Sequence, residues 1–383
     1  MKLLKEIHRK DNLDFNGRML SREAVRGIIF KENKLLLIHS ENKNYDYKFP
    51  GGGIEDNEIF EDALKREILE ETGYKVVAVE KEFGKVVEFD IPQEKEFEIF
   101  KMTSYYYICK VSEKNIEQKL DEYEQKLGFK AVWTDIEQAI ENNESLLKEG
   151  KAPRWTKRET FILKEIREQQ MKQYYAERAK EHDKVYLKPE RREDIKKIHA
   201  YLREAFSGLN VLEVACGTGY WTQTIAESAL SISASDYNNE VLNIARSRDY
   251  KISDITFFED DAYKLSKVNG AYNSGFAGFF WSHIPLNKLQ EFLNCFHSKL
   301  ESGAKIVFID NAFAAGSSTP IARTDEDGNT YQARKLENGK EFEVLKNFPT
   351  EDSLRGILEK YSGNIKIQFL KYYWIAEYKL RKV

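Results

Sequence analysis

Residues 49–74 read FPGGGIEDNEIFEDALKREILEETGY, a glycine-rich turn followed by a run that is dense in carboxylates. Between residues 55 and 71, eight acidic side chains stand against only two basic ones. A helix turns by about 100° per residue, so Glu67, Glu70 and Glu71 would share one face and repel one another by about 0.2–0.5 kcal/mol per pair. The segment therefore predicts a helix that binds a cation, and its hard oxygen ligands suit Mg²⁺ or Mn²⁺.

The spacing resembles the Nudix box, whose specified positions fall here on Gly52, Glu58, Arg66, Glu67, Glu70, Glu71 and Gly73. The turn at residues 49–53 also resembles the loop that precedes that box. This resemblance implies metal-assisted hydrolysis of a nucleoside diphosphate linked to another moiety. It implies that Glu70 and Glu71 are metal ligands and that Glu67 is either a ligand or the base that activates water. Arg66 would hold these carboxylates in place.

The remaining positions of the box are expected to shape the site. Gly52 would allow a close backbone approach, Gly73 would end the helix, and Glu58 would cap or brace it. Tyr74 stands where the family has an aliphatic residue, which predicts altered packing behind the helix. A solvated acidic helix and a Nudix fold without activity are the alternatives.

Two groups outside the box are candidates for substrate or metal contact. One is aromatic and could stack on a base or pack the sheet: Tyr45, Tyr47 and Phe49. The other lies on an acidic loop and could add a metal ligand or stay solvated: Glu94, Glu96 and Glu98.

A second pattern begins at residues 211–219, which read VLEVACGTG and predict a buried strand that ends in a glycine loop. Residues 220–229 can form the following helix, whose N-terminus and loop would receive a ligand. A second strand ends at Asp236, 17 residues beyond Gly219, where a Rossmann-like fold binds ribose hydroxyls.

These turns together resemble a class I S-adenosylmethionine-dependent methyltransferase. The resemblance implies that Glu213, Gly217 and Gly219 hold the methionine end of the cofactor. It also implies that Asp236 binds the ribose and that Asp261, after a third strand, binds the adenine amino group. A dehydrogenase is the competing interpretation, but its Gly-x-Gly-x-x-Gly pattern is not matched. Ala215 occupies the family's first glycine position, and we expect the loop to tolerate its methyl group.

The methyl acceptor leaves less trace in the sequence. His283 follows the predicted strand 274–279 and could act as a base, although a structural or binding role stays open. The Asn-Pro-Pro-Tyr and Pro-Cys motifs of nucleic-acid methylation are absent from the sequence. A small-molecule acceptor is therefore expected.

At 383 residues the chain should form two α/β domains, residues 1–168 and 169–383. The first is expected to be a Nudix α/β/α sandwich with a mixed sheet, including strands at residues 74–80 and 85–90. The second is expected to be a Rossmann-like domain with a mainly parallel sheet, and residues 317–348 would form a hairpin insertion near the acceptor site.

The composition of the chain restricts the classes of binding partner and the compartment that we expect. The net charge of −4 and the lack of a basic platform disfavour nucleic acid, and no run approaches the roughly 20 apolar residues of a membrane span. Three cysteines without metal-ligand spacing predict a reducing cytoplasm. A bifunctional enzyme is the leading interpretation. The alternatives are a nucleotide-sensing Nudix module that regulates a methyltransferase, and an enzyme that processes and methylates RNA 5′ ends.

Overall fold

Residues 1–169 and residues 170–383 form two separate units in the computed structural model. The structure describes residues 1–11, 13–32, 34–42, 45–179, 182–252, 254–270, 272–336 and 339–381. Within these residues, no helix has the length and apolar character that crossing a bilayer requires.

The first unit contains one mixed sheet and several helices. Its strands are β1 (Leu3–His8), β2 (Met19–Lys31), β3 (Lys34–Ser40), β4 (Tyr47–Lys48), β5 (Tyr74–Asp90), β6 (Ile99–Asn115) and β7 (Phe129–Thr134). Its helices are α1 (Phe60–Thr72), α2 (Glu122–Leu127), α3 (Ile136–Lys148) and α4 (Thr156–Ala179), and the division between the units falls within α4. The strand order is β1-β5-β6-β2-β3-β4, with β7 also paired to β3.

Apolar side chains are buried on both faces of this sheet. Leu64 and Ile68 of α1 pack on one face, and Ile140 of α3 and Ile162 of α4 pack on the other. The predicted sandwich is therefore confirmed. We expected two separate strands at residues 74–80 and 85–90. This prediction is wrong in one respect, because β5 continues through both. Register shifts against β6 let its hydrogen bonding continue across the intervening residues.

The second unit is built from alternating strands and helices. Its strands are β8 (Asn210–Val214), β9 (Ser231–Asp236), β10 (Ile255–Glu259), β11 (Tyr272–Gly278), β12 (Leu300–Asn311), β13 (Arg323–Thr324), β14 (Thr330–Lys335), β15 (Glu341–Leu345), β16 (Ile365–Phe369) and β17 (Tyr373–Lys379). Its helices are α5 (Arg192–Ala205), α6 (Tyr220–Ile225), α7 (Asn239–Arg246), α8 (Leu289–Ser298) and α9 (Glu351–Leu358).

The main sheet of this unit has the order β10-β9-β8-β11-β12-β17-β16. The first five strands are parallel, and β17 and β16 are antiparallel to their neighbours. Helices α5, α6 and α7 contribute apolar residues to the core on one face, and α8 and α9 contribute to the core on the other. The predicted mainly parallel sheet is confirmed, and its parallel strands bring their carboxyl ends to one edge.

Residues 317–348 form more than the expected hairpin. Strands β14 and β15 pair antiparallel as predicted, and the two-residue strand β13 adds a third member to this small sheet. Tyr174 of α4 packs against it through Leu336 and Val344. The small sheet thus belongs to the second unit and stands beside the end of α4.

Candidate active sites

The glycine-rich turn of the first unit is pressed against β2. Gly51 has a φ of 133°, and a Cβ atom there would lie 2.1 Å from the Val25 carbonyl oxygen. The Val25 N–H donates to the Gly52 carbonyl at 3.0 Å, and the Gly27 N–H donates to that of Pro50 at 2.8 Å. Only glycine adopts this conformation at such a short distance, so the turn enters α1 in one defined orientation.

Arg66 organises the carboxylates at the start of the site. Its Nε and Nη2 donate to Glu58 at 2.9 and 2.8 Å, and its Nη1 donates to Glu67 at 2.7 Å and to Glu70 at 3.3 Å. Nη2 also donates to the Gly53 carbonyl at 3.1 Å. Hydrogen bonds from Arg66 hold the pKa of Glu58 below its usual value. One planar guanidinium therefore spans three acids and the turn, which lysine cannot do.

Glu71 is the most deeply buried of the three predicted metal ligands. Its side chain is 1% exposed, and it accepts hydrogen bonds from Lys48 Nζ at 2.5 Å and from the Gly51 N–H at 2.6 Å. These contacts tie the end of α1 to the turn that precedes it. The helix ends directly afterwards at Gly73, whose φ of 72° suits glycine.

Glu67 lies against the backbone of Gly52. A Cβ atom at Gly52 would come within 2.3 Å of the Glu67 carboxylate, so glycine leaves the space that this side chain uses. Burial raises the pKa of Glu67, and the negative charge of Glu71 raises it further against the opposing effect of Arg66. The two carboxylates are therefore close enough to repel each other.

Glu124 joins this group and was missed from the sequence. It is the N3 residue of α2, where Asp121 and Glu124 form a reciprocal capping box. Burial, and then repulsion from Glu71, raises its pKa to about 7. In the sequence, the Asp-x-x-Glu spacing of these two residues is a signal for a helix cap and not for a metal or substrate site. The approach of α2 to Glu71 depends on the tertiary structure.

The donor set fits a divalent cation. Glu71 lies close enough to Glu67 and to Glu124 to repel both, while Arg66 donates to Glu67 and Lys48 donates to Glu71. Among the described residues, no three acidic, histidine or cysteine side chains are arranged as a finished ligand set. Arg66 and Lys48 hold the carboxylates in their present rotamers, so side-chain rotation would be needed to bring them onto one ion.

A cavity of about 270 Å³ opens beside this group. Among the residues that line it are Arg26, Lys48, Glu124, Phe129, Trp155 and Arg158. It combines aromatic rings with cations next to the acidic site, as a base attached to phosphates would require.

Other candidates of the first unit lie elsewhere. Phe49 is fully buried and Tyr47 is 8% exposed in the core, so the suggestion that they stack on a base is wrong for both. Tyr45 is exposed. On the acidic loop, Glu94 and Glu98 accept hydrogen bonds from Arg22 and from the Arg18 N–H. Tyr74 packs edge-on against Trp133 and accepts its indole N–H at 3.1 Å, which explains how a polar ring fits behind α1.

In the second unit, the glycine loop follows β8 at the carboxyl edge of the main sheet. Gly217 and Gly219 have φ values of 58° and 76°, and Gly219 is the N-cap of α6. Ala215 also has a positive φ, 56°. The loop does accommodate its methyl group, but in a backbone region that costs an L-residue about 1–2 kcal/mol.

Asp236 ends β9 beside this loop. Its Oδ2 accepts the Gly217 N–H at 3.0 Å and its Oδ1 accepts the Asn238 N–H at 2.9 Å. The next residue, Tyr237, is 45% exposed, and Lys172 of α4 lies over its ring at 4.7 Å. The acid is thus oriented by backbone donors at the edge where the sheet binds ligands.

Asp260 and Asp261 follow β10, which is paired with β9. The Asp260 N–H donates to the Asp236 carbonyl at 3.1 Å, so the two acidic turns adjoin. The Asp260 carboxylate is buried and accepts N–H groups of Ser266 and Lys267. Asp261 is partly exposed and pairs with Lys264 at 3.0 Å. Of the two, Asp261 is therefore the one that a ligand can reach.

Glu213 lies beneath the glycine loop. Its side chain is 1% exposed, and its Oε2 has no hydrogen-bond partner among the described residues. Burial raises its pKa to about 8, and the charge of Asp236 adds to the shift. At neutral pH this carboxyl group is thus mainly protonated.

His283 follows β11 and is engaged on both sides of its ring. Nδ1 lies 3.1 Å from the Tyr175 hydroxyl, and Nε2 lies 3.3 Å from Lys346 Nζ. Burial and the charge of Lys346 hold the pKa of His283 well below its usual value. Because an ammonium group can only donate, Nε2 accepts and the ring proton lies on Nδ1. This geometry suits a positioning role better than proton abstraction.

Two separate parts of the chain match models of known protein families. Residues 20–156 match the family model of the NUDIX domain, and residues 211–303 match a model described as methyltransferase domain. An ADP-ribose pyrophosphatase of Methanocaldococcus jannaschii is 50% identical over 52 residues, which are 13% of this chain and 31% of that protein. An 8-oxo-dGTP diphosphatase of Buchnera aphidicola is 41% identical over 56 residues, 14% of this chain and 43% of that protein.

The chain thus spans less than half the length of these two curated relatives. A solved structure described as "DhpI-SAH complex structure" has a TM-score of 0.45 at 21% identity and covers 55% of this chain and 95% of its own.

Proposed function

Because the chain joins a Nudix domain to a methyltransferase domain, we propose that it is a bifunctional enzyme with residues 1–168 as hydrolase and residues 169–383 as methyltransferase. The first domain would cleave a nucleoside diphosphate linked to another moiety. The second would transfer a methyl group from S-adenosylmethionine to a small molecule. The observation that carries the hydrolase proposal is the Arg66 fork, which gathers Glu58, Glu67 and Glu70 at the turn.

In the hydrolase, Glu67, Glu70 and Glu71 would hold Mg²⁺ or Mn²⁺. The ion would neutralise substrate phosphates and favour water ionisation. Arg66 would keep Glu67 and Glu70 oriented, and Lys48 would keep Glu71 oriented. The proton of the attacking water would pass to Glu67 or to Glu124. Of these two, Glu124 has a pKa of about 7, which is suited to a general base at neutral pH.

The aromatic and cationic cavity supports a nucleotide-derived substrate. Trp155 is partly exposed and would offer its ring to a base. Arg26 and Arg158 also line the cavity, where both pair with Glu159. The relatives named above act on ADP-ribose and on an oxidised nucleotide, which is the substrate class that we propose here.

In the methyltransferase, Gly217 and Gly219 would let the methionine end of the cofactor approach the loop backbone, and Ala215 would keep the loop in its turn. Glu213 would brace this loop from below. Asp236 would accept hydrogen bonds from the ribose hydroxyls, and Asp261 would accept one from the adenine amino group. S-adenosylmethionine supplies the methyl group. In-line alignment with the acceptor is the main requirement of the transfer, and His283 would serve that alignment through Tyr175 and Lys346.

The hydrolase proposal is tested by metal-dependent formation of a nucleoside monophosphate, together with pyrophosphate or the phosphorylated second moiety. The panel contains nucleoside triphosphates, oxidised nucleotides, dinucleotides, ADP-ribose and nucleotide sugars. We expect hydrolysis of one class that requires Mg²⁺ or Mn²⁺ and that Glu71→Gln abolishes. Glu61→Gln is the matched control, because Glu61 lies on the same helix and pairs only with the exposed Lys65 among the described residues. Equal losses in both variants would contradict the assignment.

The methyltransferase proposal is tested by titrating S-adenosylhomocysteine into the full chain in a calorimeter. Saturable binding that Asp236→Ala weakens is expected. Binding that is absent from the wild type would remove the cofactor assignment.

The second candidate is a sensing module that binds a nucleotide without cleaving it. The carboxylates held by Arg66 and Lys48, and not already arranged around one point, favour it. Nucleotide binding without turnover across the whole panel would select this alternative. RNA 5′-end processing would require RNA binding at low salt, which a filter-binding assay can measure.

A further inference from the structure

Three arginines converge at the carboxyl edge of the second unit's main sheet, close to the proposed cofactor site. Arg178 comes from the end of α4, Arg191 from the short 3₁₀ turn before α5, and Arg334 from β14. Lys346, which follows β15, is buried beside them. No motif in the sequence connects these four residues.

A continuous series of contacts joins them. Arg178 donates to the Tyr174 hydroxyl at 2.5 Å, and the ring of Tyr174 packs on Phe342, the residue opposite Arg334 across β14 and β15. The neighbouring Tyr175 contacts His283, whose other nitrogen faces Lys346.

From Lys346 the series continues to Arg191. Lys346 Nζ lies 3.2 Å from Asp310 at the end of β12, and the Asn311 amide donates to the same carboxylate at 3.0 Å. The Arg191 Nη1 donates to the side-chain Oδ1 of Asn311 at 3.4 Å. Besides burial, the charges of Lys346, Arg178 and Arg334 lower the pKa of His283, which follows β11. The four cations therefore lie near the ends of β11 and β12, where ligands bind in sheets of this kind.

The charges of this cluster are not balanced. Lys346 is paired with Asp310. Burial raises the pKa of the Asp310 carboxyl group, but the charge of Lys346 outweighs this effect and holds that pKa below its usual value. Arg178, Arg191 and Arg334 form no ion pair with a carboxylate among the described residues. Arg191 reaches Glu190 only through the Ser317 hydroxyl.

Neutral groups satisfy only part of these arginines. Arg191 is 5% exposed, lies over the rings of Tyr372 and Tyr373, and leaves its buried Nε without a hydrogen-bond partner. Arg334 is half-buried and donates to Gln332 at 2.6 Å. Burial and then the charge of Arg178 lower the pKa of Arg334, and Arg191 contributes to the same effect. Cations held this close without a counterion are suited to bind an anion.

We propose that Arg178, Arg191 and Arg334 form the acceptor subsite of the methyltransferase, and that its acceptor is a small molecule carrying a carboxylate or a phosphate-type oxyanion. The proposal rests on the proposed methyltransferase function and specifies its substrate class. Arginine forks match both oxyanions with paired hydrogen bonds. Lys346 and Asp310 position His283 and Ser282 behind the subsite.

The site is distinct from the proposed cofactor contacts but adjacent to them. Lys172, two residues before Tyr174 on α4, accepts the Asn238 side-chain amide at 2.9 Å through its carbonyl, and Asn238 follows Asp236 by two residues. The end of α4 therefore lies beside both the ribose acid and the arginines. An anion held by the arginines would lie near the cofactor's reactive end, as transfer requires.

The test uses the full chain with EDTA, so that the first unit's carboxylates carry no metal. Saturation-transfer NMR follows the methyl signals of two probes, methylphosphonate and acetate, with and without saturating S-adenosylhomocysteine. We expect one or both probes to bind, and we expect Arg334→Gln and Arg178→Gln each to raise the Kd at least tenfold. Arg334→Lys should recover part of the affinity, because it keeps the charge and loses the fork. Binding of only one probe would select the phosphate-type or the carboxylate class.

Lys335→Gln is the matched control, since Lys335 neighbours Arg334 on β14 but is exposed and pairs with Glu341. Anion binding that is unchanged in both arginine variants, or absent from the wild type, would overturn the proposal even where S-adenosylhomocysteine binds. Anion binding lost in the arginine variants, in a protein that does not bind S-adenosylhomocysteine, would keep the subsite and remove the methyltransferase assignment. Thermal unfolding of each variant separates lost binding from lost folding.

Discussion

The two candidate sites are assembled in opposite ways. In the first unit, Glu67, Glu70 and Glu71 come from five consecutive positions of one helix, and Arg66 and Lys48 hold them with hydrogen bonds. In the second, the acids come from the ends of separate strands, and buried Glu213 has no cationic partner among the described residues. The carboxylates of the first site are thus clustered and held by side-chain cations, whereas Asp236 beside the glycine loop is held by backbone N–H groups.

The largest expected effect comes from removing Arg66, which donates hydrogen bonds to the carboxylates of the first site. We expect Arg66→Ala to lower kcat for hydrolysis by a factor of about 10²–10³, because Glu58, Glu67 and Glu70 lose their shared donor. Steady-state hydrolysis at saturating Mg²⁺ measures it, with methyl transfer unchanged. Lys65→Ala is the control, since Lys65 is exposed and pairs with Glu61. An equal loss in Lys65→Ala would mean that helix charge, and not bracing, is what matters.

The next effect tests the unpaired acid of the second unit. The pKa of Glu213 is raised to about 8 from an ordinary 4.5, so the folded protein keeps a proton that the unfolded chain releases. Stability from this group is therefore present below about pH 4.5 and is lost as the pH rises towards 8. We expect Glu213→Gln to increase the free energy of unfolding by up to about 4 kcal/mol at pH 8 and by less than about 1 kcal/mol at pH 5.

Urea unfolding at the two pH values measures this difference, and Glu301→Gln, an exposed substitution in the same unit, serves as the control. A gain that is equal at both pH values would show that Glu213 is ionised in the folded protein.

A smaller effect distinguishes two adjacent glycines of the first site. A Cβ at Gly52 would come within 2.3 Å of the Glu67 carboxylate, whereas a Cβ at Gly53 would have no atom within 4 Å. We expect Gly52→Ala to displace Glu67 and lower kcat about tenfold, a cost of about 1.4 kcal/mol in the transition state. Gly53→Ala should remain within about twofold. Hydrolysis and thermal unfolding are measured for both variants. A loss of activity in Gly52→Ala that is matched by a loss of stability would show a structural cause.

The smallest effect concerns the loop of the second site. Ala215 has a φ of 56°, a conformation that glycine adopts without steric cost. Relief of that strain outweighs the added freedom of the unfolded chain, so Ala215→Gly should stabilise the second unit by about 0.5–1 kcal/mol. Calorimetric unfolding checks it. A destabilised variant would mean that the methyl group has packing contacts that outweigh the strain.

Sequence reasoning was most successful where function is local. The spacing of Arg66, Glu67, Glu70 and Glu71 predicted one shared helix face, and the fork of Arg66 contacts Glu67 and Glu70. It was least successful where distant segments meet. Glu124 was not among the candidate residues, and strand β5 runs through the break expected within it.

By itself the sequence determined the two fold classes, the acidic helix, the glycine loop and the acids that follow the strands. Such features depend on helical and strand periodicity and on backbone conformations that glycine permits, all of which act over a few residues. Only the tertiary structure decided that Glu124 approaches Glu71, and that Arg178, Arg191 and Arg334 share one region. Charge repulsion and burial act through space, so residues far apart in the sequence acquire their chemistry only when packing brings them together.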